Sequence, residues 1–393
     1  MRESHSVVPA RLGTTSQPAE LNVLGHAHLK DLDRIRLLDA LALAERSIGI
    51  TEPNPRVGCI LGFADGRVLG TGSTQPAGDS HAEVVALREA RAAGHEVRGA
   101  TAWVTLEPCS HQGRTPPCTG ALIESGVHRV VYAVMDPNPK VSGLGVAQLR
   151  AAGVDVQEAA SDIAQAAREL NIGFFSRMER GRPWVRMKAA ASLDGVSALH
   201  NGKSQWITSE AARNDGQVWR RRAGAVLTGI GTILADNPRL DVRSLAPSSQ
   251  PMRVILDSSL RMPPKAATLG FPGKVVVIAS GSNVRRSALE AAGARLLVMP
   301  DKDCRVDPAE VIKWLCMQGV NEVHVEAGPK LNASLLQAKL VDELLLYLSP
   351  SFLGTGGQPI AALSQIDSLN SRIGLRIVDV TRIGDDLRIL ART

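Results

Sequence analysis

His81 and Glu83, two residues apart, and Cys109 and Cys118, with eight residues between them, are of types and spacing that could do chemistry. One imidazole and two thiolates can give three ligands to a tetrahedral zinc and leave the fourth position to water. Zinc lowers the pKa of such a water towards ~7, which produces a nucleophile at neutral pH. Glu83 lies close enough to His81 to shuttle protons without binding the metal. A His-x-Glu at a helix end, taken alone, is more often a cap or surface polarity. Joined to Pro108-Cys109 and Cys118, it reads as a zinc centre. His111 offers itself as a fourth ligand, and a four-ligand site would be purely structural.

His-x-Glu followed by Pro-Cys and a second cysteine is the arrangement of zinc-dependent nucleobase deaminases, whose cysteines are separated by two residues. The stretch LEPCSHQGRTPPC departs from that spacing and puts His111 and Arg114 between the two thiols.

These residues need elements to position them. A chain of 393 residues suggests two or three domains, and an apolar fraction of 44% is enough for sizeable cores. Aromatics at 3% argue against a surface that stacks unpaired bases. The net charge of +6 suits anionic partners, small phosphorylated molecules included. The densest basic cluster, Arg220-Arg221-Arg222, is short enough to be a solvated helix face, so no nucleic-acid partner is expected. No signal-peptide pattern and no membrane-length apolar run is read, so a cytoplasmic, reducing compartment is expected and a disulfide disfavoured. Cys59, Cys304 and Cys316 have apolar neighbours and read as core residues.

Residues 1–30 read as a flexible extension. DLDRIRLLDALALAERSIG is an amphipathic helix, and VGCILGF and RVLGTG are a hairpin. SHAEVVALREARAAG is a helix with Ser80 in the N-cap position. TAWVTLEP, TGALIESG, VHRVVYAVMDPNP and GVAQLRAAGVDV then alternate strand and helix, which predicts a layered α/β domain with a largely parallel sheet. A break at Gly181-Arg182-Pro183 ends this domain at residue 181, and a second α/β series fills 182–393.

PNPRVGCIL, HAEVVAL, VTLEPCSHQGRTPPC and DPNP, in this order, resemble the deaminase half of the bifunctional riboflavin-biosynthesis deaminase/reductase family. In that family the long insert between the cysteines contacts a pyrimidine nucleotide, which makes His111 and Arg114 candidate substrate groups. Asn54, Asp136 and Asn138 match further substrate positions, although each also suits a plain turn. The resemblance implies a cytidine-deaminase-like three-layer α/β/α domain. Thr74 departs from it, since relatives usually carry a histidine there.

The resemblance continues through KAAASLDG, GKSQWITSEAAR, VLTGIGTILADNPRLDVR, VILDSSLRM and VEAGPKLNASLL. It implies a dihydrofolate-reductase-like α/β domain that uses NADPH. By themselves, Gly229 and Gly231 permit close backbone approach to a dinucleotide or simply make a tight turn. The Gly328–Ser334 junction either holds a pyrophosphate at a helix N-terminus or is an ordinary strand-to-helix turn. Carried over by residue, Ala190, Trp206, Thr232, Asp236, Ser258, Gly328, Pro329, Lys330, Leu331, Asn332, Ala333 and Ser334 match cofactor positions. Ser204, Arg220, Leu240, Arg243 and Glu326 match substrate positions, the arginines suiting a phosphate. Ser258 and Ser259 with Arg261 suit the 2′-phosphate of NADPH, and Lys188 and Glu326 are candidates to move a proton. The expected activity is deamination of a diaminopyrimidinone ribosylamino 5′-phosphate followed by reduction of its ribosyl group, in a homo-oligomer. An RNA-modifying deaminase with an accessory domain and a non-catalytic zinc-stabilised scaffold are the rival readings.

Overall fold

A computed structural model describes residues 18–111, 116–243 and 250–393. The first half runs α1 (Pro18–Glu45), β1 (Gly58–Gly62), β2 (Val68–Ser73), α2 (Ala82–Ala92), β3 (Thr101–Val104), α3 (Cys118–Glu124), β4 (Arg129–Tyr132), α4 (Leu144–Ala151), β5 (Asp155–Glu158), α5 (Ser161–Leu170) and α6 (Ile172–Arg180). Its strands form one sheet of order β2-β1-β3-β4-β5. The central strands are short and apolar and are buried along their whole length, which requires helices on both faces. α1 covers one face, its Ala40 and Ala44 lying against Gly58 of β1. α2 covers the other through Gly72 of β2, where an added Cβ would lie 2.1 Å from the Ala82 carbonyl oxygen. That close approach brings His81, at the start of α2, down onto the sheet.

The sheet is half antiparallel rather than largely parallel. The β1–β2 hairpin and the β1–β3 pairing run antiparallel, and only β3–β4 and β4–β5 run parallel. The expected extension over 1–30 is also too long, because α1 starts at Pro18, a residue tolerated in a first helical turn. Ser80 is not the cap of α2. His81 takes that position, and the Ser80 hydroxyl accepts from Arg88 instead.

The second half adds β6 (Trp184–Ser192), β7 (Val196–Ala198), α7 (Glu210–Arg222), β8 (Ala225–Gly229), α8 (Ile230–Asp236), β9 (Met252–Leu256), β10 (Val275–Ala279), α9 (Arg286–Ala291), β11 (Ala294–Val298), α10 (Pro308–Met317), β12 (Glu322–Glu326), α11 (Pro329–Gln337), β13 (Glu343–Ser349), β14 (Gln358–Pro359), β15 (Arg376–Ile383) and β16 (Asp386–Arg392). Nine strands form a sheet of order β11-β10-β9-β8-β12-β6-β13-β16-β15, parallel up to β13 and antiparallel beyond it. β7 and β14 pair separately. All five cysteines are free; Cys59 is buried as expected, but Cys304 is exposed in the turn after Asp301. Among the described residues no helix is long and apolar enough to cross a membrane.

The two halves meet through a buried charge cluster. Glu322 of β12, 1% exposed, accepts from Arg56 Nη1 at 2.7 Å, from Arg186 Nη1 at 2.8 Å and from Arg222 Nε at 3.5 Å. Arg56 belongs to the first half, and its backbone is held by the Asn171 side chain at both N–H and carbonyl. Burial alone would raise the Glu322 carboxyl, but Arg222, Arg56 and Arg186 outweigh it and hold the group well below the usual carboxylate range. Removing one partner of such a cluster leaves buried charge uncompensated. Glu322→Gln should therefore cost about 3–5 kcal/mol at pH 7, read from urea unfolding. The stabilisation from a depressed carboxyl is complete above the unfolded value of about 4.3 and is lost as pH falls towards the folded one. The gap between parent and variant should accordingly narrow in acid.

Candidate active site

Two helix starts and one loop converge on one point. His81 caps α2, Cys118 is the first residue of α3, and Cys109 follows β3. His81 Nδ1 lies 3.5 Å from Cys109 Sγ and 3.3 Å from Cys118 Sγ, and all three candidate ligand atoms fall within 4.8 Å of one another. The Cys118 backbone N–H points at Cys109 Sγ at 3.4 Å. Hydrogen bonds from Cys118 and His81 hold the Cys109 thiol well below its usual range, as a metal-ligating thiolate requires. One imidazole and two sulfurs at this separation fit a zinc ion. His111 is exposed and is not among the grouped ligand atoms.

Glu83, on the first turn of α2, is 3% exposed, and burial pushes its carboxyl up to about 7, with Cys109 adding to the shift. His81, Glu83 and Cys109 open into a cavity of about 340 Å³. Asn54, Thr74, His111, Asp136 and Asn138 also line it, so the sequence-derived substrate residues are brought together. Arg114 lies outside the described residues. Burial raises Asp136 to about 7, against the N–H of Asn138, which donates to its Oδ1 at 2.8 Å. Thr74 lines the cavity, but its hydroxyl accepts from the Val57 N–H at 3.1 Å, so it braces the start of β1.

Sequence reasoning missed two contributors. Glu107 is a buried carboxylate that accepts from four backbone N–H groups, those of Asp136, Gly143, Gly145 and Val146, at 3.0–3.3 Å. It ties the Asp136–Asn138 loop and the start of α4 to the segment carrying Cys109; its place in LEPC beside the cysteine was the available signal. Arg177, Phe174 and Met178 of α6 form another wall. Nothing local in IGFFSRMER marks them, because the cavity they face is assembled by the fold.

In the second half, parallel strands bring the predicted residues to their carboxyl ends, where α/β sheets bind ligands. Lys188 and Glu326 are register partners on β6 and β12, and Ala190 pairs with Tyr347 on β13. Gly328 caps α11 and Gly229 caps α8, neither with a side-chain bond, and a Cβ at Gly229 would touch Leu331 at 3.4 Å. The two junctions are thus side by side. Residues Pro329–Ser334 are the opening turns of α11 rather than a loop. The uncapped N–H groups there suit an anionic cofactor group. Asn332 is buried and donates to the Ala327 and Ile360 carbonyls at 3.2 and 2.8 Å, which fixes this turn.

Arg220 does not present a free fork. It grips Glu326 bidentately, Nε–Oε1 2.6 Å and Nη2–Oε2 2.8 Å, and its Nη1 donates to the Asp241 carbonyl at 2.7 Å. Arg243 is exposed, and Leu240 is buried beside it. Burial lowers Lys188, while Glu326 opposes that shift. Thr232 and Asp236 lie on α8. Ser204 and Trp206 sit between β7 and α7, with the Arg213 guanidinium 4.4 Å from the exposed Trp206 ring. Ser258 stands one strand further out, after β9, and its hydroxyl already accepts from Val306 N–H at 3.0 Å.

Comparison with known proteins matches both halves. The cytidine and deoxycytidylate deaminase zinc-binding region matches residues 33–134, and the RibD C-terminal domain matches 183–389. The chain is 40% identical over 367 residues to the riboflavin biosynthesis protein RibD of Escherichia coli K12, covering 90% of this chain and 98% of that one. It is 38% identical over 362 residues to the Aquifex aeolicus protein of the same name, covering 92% and 98%. The fold superimposes on RibD of Acinetobacter baumannii with a TM-score of 0.84 at 38% identity, covering 92% of this chain and 99% of that one. A Thermotoga maritima diaminohydroxyphosphoribosylaminopyrimidine deaminase/5-amino-6-(5-phosphoribosylamino)uracil reductase gives 0.82 at 30% identity, with the same 92% and 99% coverage.

The packing of α4 against the cysteine segment makes a test of the metal centre. A methyl on Gly145 would lie 2.0 Å from the Pro108 carbonyl oxygen, so Gly145→Ala must push the start of α4 and the Pro108–Cys109 backbone apart. Zinc affinity, measured by competition with a chromophoric chelator, should fall about 10–100-fold, the usual cost of disturbing what supports a ligand. Unchanged affinity would show that the segment shifts without consequence.

Proposed function

The chain belongs to the RibD family of riboflavin biosynthesis, and from that membership we infer how its two sites divide the work. It is a zinc-dependent pyrimidine deaminase fused to an NADPH-dependent reductase. The first reaction hydrolytically deaminates 2,5-diamino-6-ribosylamino-4(3H)-pyrimidinone 5′-phosphate. The second reduces the ribosyl group, giving 5-amino-6-ribitylamino-uracil 5′-phosphate. The rival RNA-modifying and scaffold readings are not favoured. We assign the deaminase to residues up to 181, with α1 included from Pro18, and the reductase to 182–393. The change of sheet between α6 and β6 supports that boundary.

We assign His81, Cys109 and Cys118 as the residues that hold zinc. When bound, zinc supplies the Lewis acidity that makes water nucleophilic at neutral pH. Glu83, buried beside it with a carboxyl near neutrality, takes up a proton and hands it to the departing amino nitrogen. Asn54, His111, Asp136 and Asn138 orient the pyrimidine, and Arg114 is assigned to the same substrate. The observation that carries this reading is the convergence of the three ligand atoms in one cavity with Glu83.

In the reductase, Gly328–Ser334 at the start of α11, with Ala190, Trp206, Thr232, Asp236 and Ser258, are assigned to the cofactor. NADPH, when bound, supplies a hydride. Ser204, Arg220, Leu240, Arg243 and Glu326 are assigned to the substrate, with Glu326 oriented by Arg220. Reduction at the ribose C1′ also needs a proton on the ring oxygen; Lys188, the register partner of Glu326, is assigned to supply it, since, against its burial, Arg220 holds the Glu326 carboxyl well below the usual carboxylate range. A homo-oligomer belongs to this reading. The edge strand β15 supports it, exposing Ile377 and Val380 at 61% and 53% beside Leu387. A cytoplasmic location agrees with five free cysteines.

Glu83→Gln should keep its zinc and its fold while deamination falls by about 10²–10⁴, the usual loss of a general acid–base group. A variant that deaminated normally would show the proton carrier to be elsewhere. Arg220→Ala should slow reduction and leave deamination, assayed without NADPH, at the parental rate. Loss of both reactions together would contradict two independent sites.

A further inference from the structure

Pro53 and Asn54, on the wall of the deaminase cavity, are held by a residue from the other half of the chain. Asn321, 5% exposed, stands immediately before β12. Its backbone N–H donates to Glu52 Oε2 at 3.0 Å, and its Nδ2 donates to the Pro53 carbonyl at 3.1 Å. Its Oδ1 accepts from Arg177 Nε at 2.6 Å, so partners at both ends fix the amide's orientation. Arg177 donates again, through Nη2, to the same Pro53 carbonyl at 2.9 Å. The three residues close a ring of hydrogen bonds, and Arg177, Pro53 and Asn54 all face the cavity. The Asn54 N–H closes a turn on the Thr51 carbonyl at 2.8 Å, so a displacement at Pro53 carries Asn54 with it.

We propose that Asn321, a residue of the reductase half, is a positioning residue of the deaminase pocket, setting Arg177 and the Glu52–Asn54 turn against the pyrimidine substrate. The deaminase site is then complete only when β12 is docked. Deleting Oδ1 would leave Arg177 Nε without its acceptor in a half-buried setting, and deleting Nδ2 would loosen Pro53. Both losses act on the cavity wall and neither touches the metal ligands. This inference rests on the assignment of deamination to that cavity.

The test is steady-state kinetics of Asn321→Ala in the full, zinc-loaded chain, with the two reactions assayed separately. The deaminase KM should rise roughly tenfold, equivalent to about 1.4 kcal/mol. Deaminase kcat should stay within about twofold, the pattern of lost ground-state positioning. Zinc content and reductase kinetics should match the parent. An unchanged KM overturns the proposal, and so does a parallel loss of both activities, which would make Asn321 merely structural. If Asn321→Ala does not fold, Arg177→Lys takes its place, since a single ammonium keeps the charge but cannot reproduce the fork. The same KM-against-kcat split is expected of it, and an unchanged KM again overturns the proposal. Glu83→Gln run alongside separates the two levels. Deamination surviving in that variant would sink the assignment of the cavity, whereas an unchanged KM in Asn321→Ala sinks only the coupling between halves.

Discussion

The carboxylate of Glu322 is the point on which both halves of the chain turn. It is buried and would be unstable as an ion by itself, yet arginines from two domains meet on it. Arg186 passes the charge on to Glu343, and Arg392 joins Glu343 to Glu169 of the first half. Charge of this kind in an interior does little for net stability against an apolar substitute, but it tolerates almost no rearrangement. The interface is therefore specified in direction as well as in place. β12, which carries Glu322 at one end and Glu326 at the other, inherits that precision at both of its ends.

The two sites use the same architectural device differently. In the deaminase, the starts of α2 and α3 carry His81 and Cys118, the candidate ligands, and glycine in the packed neighbours lets backbone come close enough to bring them together. In the reductase, the starts of α8 and α11 carry glycine caps and offer bare N–H groups. An uncapped helix start favours an anion, whereas at the starts of α2 and α3 it is the side chains that converge.

Much of this was legible in the sequence. The grouping of His81, Cys109 and Cys118 near Glu83 was readable because these residue types are rare together. The strand–helix alternation was readable because the parallel strands are continuous apolar runs such as VVVIA. Misreadings came from competition between local and distant forces. Ser80 is a good N-cap by type, but His81 takes the cap because its ring is committed to the two sulfurs. Arg220, assigned to the substrate, also grips Glu326, a partner that β12 brings within its reach and that the local sequence does not show. Arg177 was invisible because its partners are created by packing, and Glu107 showed only its place beside Cys109. Thr74, read as a departure from the family pattern, has a structural use of its own on β1.

Glu107 has a consequence of a different kind. Among the described residues its hydrogen-bond donors are four peptide N–H groups, so its partner is the backbone itself. Peptide dipoles cannot exchange with dissolved ions, and a buried arrangement of them is scarcely screened by salt. The loop that frames the deaminase cavity is thus insulated from the ionic strength of its surroundings, although the substrate it receives is an anion whose approach is not. Shape is held by one kind of electrostatics and delivery is governed by another.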